Sequence, residues 1–166
     1  KKKYKNLLTI IIPRHIDRVD LIEKNLNDLN LKTHKHESNK KIDKNTDVYI
    51  VNSYGKTKSF YYYCKNIFLG GSIINHGGQN PLEATRYGCD ILHGPYVFNF
   101  KEIYNFLRKN KISQKINNQK EMIQYLSKLI SKKSNSKKIS KKLNLIGQKI
   151  LKNTYKEIKL VLNNEI

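Results

Sequence analysis

The 166-residue chain carries 33 Lys and Arg against 13 Asp and Glu, a formal charge of +20, and 38% of its residues are hydrophobic. This size and apolar content allow one good core and predict a single domain. No run approaches the roughly 20 apolar residues of a membrane span, and no signal-peptide pattern stands at Lys1, so the chain reads as soluble. The opening KKKYKN, directly ahead of a strand, also fits a piece cut from a longer protein.

Such a charge favours anionic partners: nucleic acid, anionic lipid or phosphorylated substrates. Lys, however, travels with Asn and Ile throughout, including stretches with no sign of a site. Compositional drift accounts for much of the excess, and no specific nucleic-acid partner is expected.

Apolar runs alternate with amphipathic stretches, the pattern of an α/β fold in which helices flank a mostly parallel sheet. LLTIII (7–12) reads as a buried strand ended by Pro13. Asp17 then caps a helix with Val19, Ile22, Leu26 and Leu29 at helical spacing. A short strand near 33–36 places His34 and His36 on one face, and with no acidic or Cys ligand at metal spacing nearby a zinc site there is not expected. The polar loop 37–46 leads to the strand VYIV (48–51), and Gly55 turns the chain into an aromatic helix, 57–64. The Tyr61, Tyr62, Tyr63 cluster in it reads as core and sheet cover.

NIFLGG supplies the next strand, followed by a helix from Pro81 to Gly88 and the strand DILHG (90–94). Ile103, Phe106 and Leu107 mark one further helix; Met122, Leu126, Leu129 and Ile130 mark another. From Ser131 the chain is Lys-rich and then amphipathic, which predicts one or two terminal helices. Cys64 and Cys89 lack CxxC spacing and read as buried thiols of a reducing compartment.

The most informative run is FLGGSIINHGGQNPLEA (68–84), a strand, a glycine-rich turn and a helix start in succession. Gly70 and Gly71 allow a tight turn, and Gly77 and Gly78 allow a second close approach. Asn80 opens the helix with Pro81 at its first position, so free N–H groups and the positive helix end would converge on a phosphate or carboxylate. Asn80 and Glu83 also form a capping box, which helix initiation alone would explain. Four glycines exceed what a helix start needs.

In an open parallel sheet, ligands bind beyond the carboxyl ends of the strands. Pro13, Arg14 and His15 follow the first strand there, Asn52 to Lys56 the third, Ser72 to Glu83 the fourth and Gly94 to Asn99 the fifth. Arg14 can fork onto a phosphate or carboxylate, or pair with Asp17 on the surface. His15 orients Arg14 or touches the ligand, or else is a partly buried histidine bonded to backbone. Glu83 can accept two hydrogen bonds from ribose hydroxyls. The set implies a nucleotide-like ligand without implying a reaction.

The order PRH (13–15), SYG (53–55), GGS (70–72), GGQNPLEA (77–84) and HGPYVFNFKEIY (93–104) resembles the C-terminal half of bacterial 3-deoxy-D-manno-octulosonic acid (Kdo) transferases, over most of the chain. The resemblance implies a Rossmann-like C-terminal domain of a GT-B glycosyltransferase, with a core over about 7–132 and terminal helices over about 136–166 that in such enzymes cross back to an N-terminal acceptor domain absent here. It implies CMP-Kdo as donor, lipid A precursor as acceptor, lipopolysaccharide core synthesis at the cytoplasmic face of the inner membrane, and no metal. Pro13, Arg14 and His15 with Ser53, Tyr54, Gly55 and Lys56 would line the nucleotide. Gly71, Ser72, Gly77, Gly78, Gln79, Asn80, Pro81, Leu82 and Glu83 would hold phosphate and ribose.

Where the family often has acidic residues, this chain has Asn52 and Lys56, so only backbone contacts transfer there. Gln79 replaces the commoner His and cannot titrate. The family reaction inverts the anomeric centre using a carboxylate base in the N-terminal domain. The chain alone is therefore expected to bind donor and not to transfer sugar. Clustered Lys in KKISKK (137–142) would favour an anionic membrane surface. A UDP-sugar GT-B enzyme and a basic nucleic-acid module are the alternatives.

Overall fold

The computed structural model describes Tyr4, residues 6–131 and residues 136–164. Most of the basic opening, residues 132–135 of the Lys-rich stretch, and the last two residues lie outside the described residues. The chain forms two compact units, Lys1–Ser59 and Phe60–Ile166, each with its own three-stranded sheet.

In the first unit, β1 (Thr9–Ile11) and β2 (Thr33–Lys35) flank β3 (Val48–Ile50) in parallel, with Ile11 and Lys35 both opposite Ile50. Parallel neighbours need a crossover, and α1 (Val19–Asp28) supplies it between β1 and β2. Strand side chains alternate between faces. Val48 and Ile50 meet Val19 with Ile11, Ile22, Leu26 and Leu31 around them, while Tyr49 receives His34 and His36 at ring-centroid distances of 5.5 and 5.8 Å. The two histidines thus share a face, as their spacing predicts, and His36 Nδ1 lies 2.5 Å from the Tyr49 hydroxyl.

Helix α2 (Thr57–Tyr63) carries the chain into the second unit. There β5 (Asp90–His93) lies between β4 (Asn66–Leu69) and β6 (Ser113–Lys115), again all parallel. Helices α3 (Leu82–Arg86), α4 (Lys101–Lys109), α5 (Gln119–Ser131) and α6 (Ser136–Asn164) complete it. The core joins Leu69 and Ile91 to Ala84, Cys89, Tyr104, Leu107, Ile112 and Ile139. Each fully buried aliphatic side chain of this kind contributes roughly 1.5–3 kcal/mol.

The parallel α/β architecture matches expectation, with the strands in two sheets where one was expected. Other elements differ in detail. Asp17 caps no helix: it lies inside a 3₁₀ turn, Ile16–Arg18, through which the chain enters α1, and neither cap position makes a side-chain hydrogen bond. Leu29 lies beyond α1 and is 70% exposed. Tyr62 and Tyr63 are 63% and 79% exposed; only Tyr61 packs on the core, because a helix this short turns only one of three successive residues inward. Cys64 is half-buried rather than buried, whereas Cys89 is fully buried. Burial pushes the Cys89 thiol up to about 11, so it is inert as a nucleophile.

Helix α3 stops at Arg86, two residues before Gly88. Gly88 takes φ +73°, and a Cβ there would lie 2.4 Å from both the carbonyl oxygen and Oγ of Ser136. Ser136 Oγ in turn donates to the Tyr87 carbonyl at 3.3 Å, so this turn is where α6 seats. A left-handed side chain costs about 1–2 kcal/mol before any clash. Gly88→Ala should therefore destabilise the chain by about 2 kcal/mol or more in urea denaturation, and an unchanged midpoint would contradict this packing.

Candidate functional site

Because β1 and β3 are neighbours and parallel, the segments following them leave at one edge of the first sheet. Val51 N–H still donates to the Ile11 carbonyl, 2.9 Å, at that edge. Beyond it Pro13 is half-buried, and Arg14 and His15 are exposed. Among the described residues no ion pair joins Arg14 to Asp17. His15 is not a buried histidine; its carbonyl accepts the Arg18 N–H, 3.3 Å, at the start of the 3₁₀ turn. After β3, Ser53 is half-buried with a buried Oγ that has no hydrogen-bond partner among the described residues. Tyr54 is 67% exposed, Gly55 turns the chain with φ +77°, and Lys56 is exposed. An aromatic ring, a guanidinium and an ammonium thus stand on one edge, a set suited to a flat anionic ligand.

The second unit repeats the plan. Leu69 and His93 are register partners in β4 and β5, so residues 70–81 and 94–100 leave side by side. Ser72 is fully buried and clasps the two: its Oγ donates to the Leu69 carbonyl at 2.6 Å and accepts the Gly94 N–H at 2.8 Å. The Ser72 carbonyl accepts the Tyr96 N–H, 2.9 Å, and the Gly77 carbonyl accepts the Asn99 N–H, 3.2 Å. Asn99 Nδ2 donates to the His76 carbonyl at 3.3 Å. A Cβ on Gly77 would sit 2.3 Å from that same Nδ2 and would displace it, and φ of +82° itself favours glycine there.

Two features of the glycine turn differ from expectation. Gly71, Gly77 and Gly78 take φ +67°, +82° and +74°, whereas Gly70 does not need positive φ. The Gly78 N–H is occupied by the Gly71 carbonyl, 2.9 Å, so fewer N–H groups are open to an anion than the glycine count suggests. Asn80 Oδ1 accepts the Leu82 N–H, 3.0 Å, an Asx turn in place of the full capping box. Pro81 is buried just ahead of α3, and Glu83 is exposed in its first turn. At five residues α3 is too short to sum much of a macrodipole. What this turn offers an anion is loop N–H groups rather than a helix macrodipole.

The structure therefore gathers the expected residues into two sets, one on the carboxyl edge of each sheet. Asn99, Tyr104 and His93 were not singled out as site residues. Their signal lay in HGPYVFNFKEIY, where a helical pattern drew attention to Ile103, Phe106 and Leu107 instead. The Tyr104 hydroxyl reaches back to the Gln79 carbonyl at 2.8 Å.

No protein-family model matches the chain. It is 33% identical over 137 residues to the 3-deoxy-D-manno-octulosonic acid transferase of Aquifex aeolicus, covering 82% of this chain and 37% of that protein. The chain is a relative of the Kdo transferases. That of Haemophilus influenzae is 29% identical over 149 residues, 90% of this chain and 34% of that protein. A bifunctional glycosyltransferase/methyltransferase of Fusobacterium nucleatum is 28% identical over 98% of this chain and 26% of its own length. The fold matches the C-terminal CMP-Kdo binding domain of WaaA from Acinetobacter baumannii, with a TM-score of 0.79 and 24% identity over 89% of this chain and 77% of that one. The chain spans about a third of the length of the Aquifex and Haemophilus Kdo transferases.

His93, 1% exposed at the end of β5, gives this site edge a pH dependence. Burial, chiefly, holds its pKa below the ordinary value of 6.5. The unfolded chain then binds a proton that the folded chain does not, so stability falls as pH drops below about 6.5 and through the lower folded value. Urea midpoints measured from pH 7.5 to 5 should decline, and His93→Gln should flatten that decline.

Proposed function

We propose that this chain is the donor-binding domain of a Kdo transferase, a single domain that holds CMP-Kdo while a longer protein transfers Kdo to lipid A precursor. The observation that carries this reading is the position of the motif residues. PRH, SYG, GGS and GGQNPLEA all fall beyond carboxyl ends of parallel strands, where an α/β sheet binds nucleotides. Similarity to the Kdo transferases and the fold shared with a CMP-Kdo binding domain support it further.

In this proposal Arg14 forks onto the donor's anionic oxygens, beside Pro13 and His15, and stabilises the departing CMP phosphate. Ser53, Tyr54, Gly55 and Lys56 form a second wall. Gly71, Ser72, Gly77, Gln79 and Asn80 present backbone to phosphate, Gly78, Pro81 and Leu82 shape the turn around it, and Glu83 takes the ribose hydroxyls. Displacement at the anomeric carbon inverts its configuration. The carboxylate base that deprotonates the acceptor hydroxyl belongs to the remainder of the longer protein, so the chain alone transfers no sugar.

Helix α6 supports two further parts of the proposal. Ile150, Leu151, Tyr155, Ile158, Val161 and Leu162 are all more than half exposed and recur at helical spacing, and we assign this stripe to contact with the remainder of the longer protein. Lys137, Lys138 and Lys141 are exposed, whereas Lys142 is engaged by the Asn110 carbonyl at 3.1 Å. The exposed lysines would draw the protein to anionic headgroups at the cytoplasmic face of the inner membrane, at roughly 1 kcal/mol each.

Calorimetric titration with CMP, with UMP as control, tests the donor site. Selective CMP binding is expected, weakened about tenfold to a hundredfold by Arg14→Ala, as loss of a charged hydrogen bond of roughly 1.5–3 kcal/mol requires. Glu83→Ala should weaken CMP and spare deoxyribose analogues. UMP binding as tight as CMP would instead favour a UDP-sugar enzyme. For the membrane surface, replacing Lys137, Lys138 and Lys141 by Gln should cut binding to anionic vesicles by about a hundredfold at low salt; equal binding would remove the idea.

A further inference from the structure

We propose that Tyr104 is a positioning residue of the donor site: its phenol, resting on His93, holds the Gln79–Asn80 peptide in the one orientation that the glycine turn presents to a phosphate oxygen. The inference rests on the donor-binding reading above and names a residue that the motif comparison leaves without a role.

Tyr104 is fully buried in α4, and its hydroxyl donates to the Gln79 carbonyl, 2.8 Å away across 25 residues of sequence. A peptide unit is planar and trans, so its C=O and N–H point in opposite directions. Fixing the Gln79 carbonyl toward the core therefore fixes the Asn80 N–H away from it. Among the described residues that N–H has no acceptor, while the Asn80 side-chain oxygen is already occupied by Leu82. Asn80 itself is exposed. The result is an outward, unused donor backed by a buried hydroxyl.

Such backing matters here because the turn's own bond, Gly78 N–H to the Gly71 carbonyl at 2.9 Å, ends before the Gln79–Asn80 peptide. Gly77 and Gly78 have no side chains to restrict the preceding peptides, and each glycine admits more backbone conformations than any other residue. Ser72 fixes the start of the turn and Asn99 its middle. Tyr104 is the side-chain anchor recorded at its end.

His93 sets the phenol in place. Its ring lies 4.4 Å from that of Tyr104, centroid to centroid. Its Nδ1 is 2.7 Å from the Gly94 carbonyl, an atom that only accepts, so Nδ1 carries the proton. Nε2 is then a buried lone pair with no partner among the described residues. Burial keeps this imidazole neutral and raises the Tyr104 phenol above its ordinary range, so the hydroxyl stays a donor throughout the usable pH range.

Tyr104→Phe removes the hydroxyl and keeps the ring on His93. Binding of CMP and of cytidine is measured for the 166-residue chain and this variant, with the urea midpoint alongside. CMP affinity should fall about tenfold while cytidine affinity stays the same, a split that a general loss of stability does not produce. In the unsubstituted chain, the Asn80 amide resonance should shift on titration with CMP and not with cytidine; Tyr104→Phe should abolish that shift. Undiminished CMP affinity in the variant, an Asn80 amide indifferent to CMP, or equal losses for both ligands would each overturn the positioning role and leave the donor site standing. Absence of CMP binding by the unsubstituted chain would overturn the donor reading, and this inference with it.

Discussion

Because neighbouring strands in both sheets run parallel, each strand is followed by a segment leaving at the same edge, and only that edge collects residues from distant parts of the chain. Pro13 and Ser53 stand forty residues apart in sequence and on adjacent strand ends in the first sheet. Ser72 and Gly94 do the same in the second, close enough to share a hydrogen bond of 2.8 Å. Parallel pairing is thus what turns scattered motifs into a site, and it also explains why β3 and β5, central in their sheets, are buried.

Much of this was legible in the chain because the signal was apolar. VYIV and DILH sit in the middle of sheets, and central strands read as short hydrophobic runs. Strand β6 escaped notice for the complementary reason. Ser113, Gln114 and Lys115 carry no hydrophobic pattern; the strand exists because β5 offers an open edge and because Ile112 and Ile116 bury on either side of it. Asp17 was a reasonable cap by type, but tertiary entry through a 3₁₀ turn left its side chain nothing to cap. The tyrosines at 61–63 show the limit of composition: aromatic content says that some ring is buried, and only the helix phase says which.

The site shows the same division. Residues whose chemistry is unusual for their surroundings, Arg14 in a Lys-rich chain and glycines in a turn, stood out at once. Residues acting through backbone did not. Asn99 and Tyr104 matter by bonding to carbonyls that any residue possesses, so no side-chain pattern advertises the partner. The count of glycines likewise overstated the number of open N–H groups, since one of them closes the turn on itself through Gly71.

The charge of +20 is distributed in a way that agrees with a nucleotide site more than with a general anionic groove. The side chains that hold the glycine turn in shape, Ser72, Asn99 and Tyr104, are neutral, with Glu83 the carboxylate that follows it. Lysines accumulate instead on α6, on the side opposite Ile150, Ile158 and Val161 by helical spacing, where Lys149, Lys152, Lys156 and Lys159 follow one another at intervals of three and four. Neutral dipoles hold a turn's geometry without mutual repulsion among cations, and they discriminate by direction rather than by charge alone. Directional contacts of that kind need rigid backing, and in the second unit the backing is a buried phenol in tilted contact with a buried imidazole behind the loop.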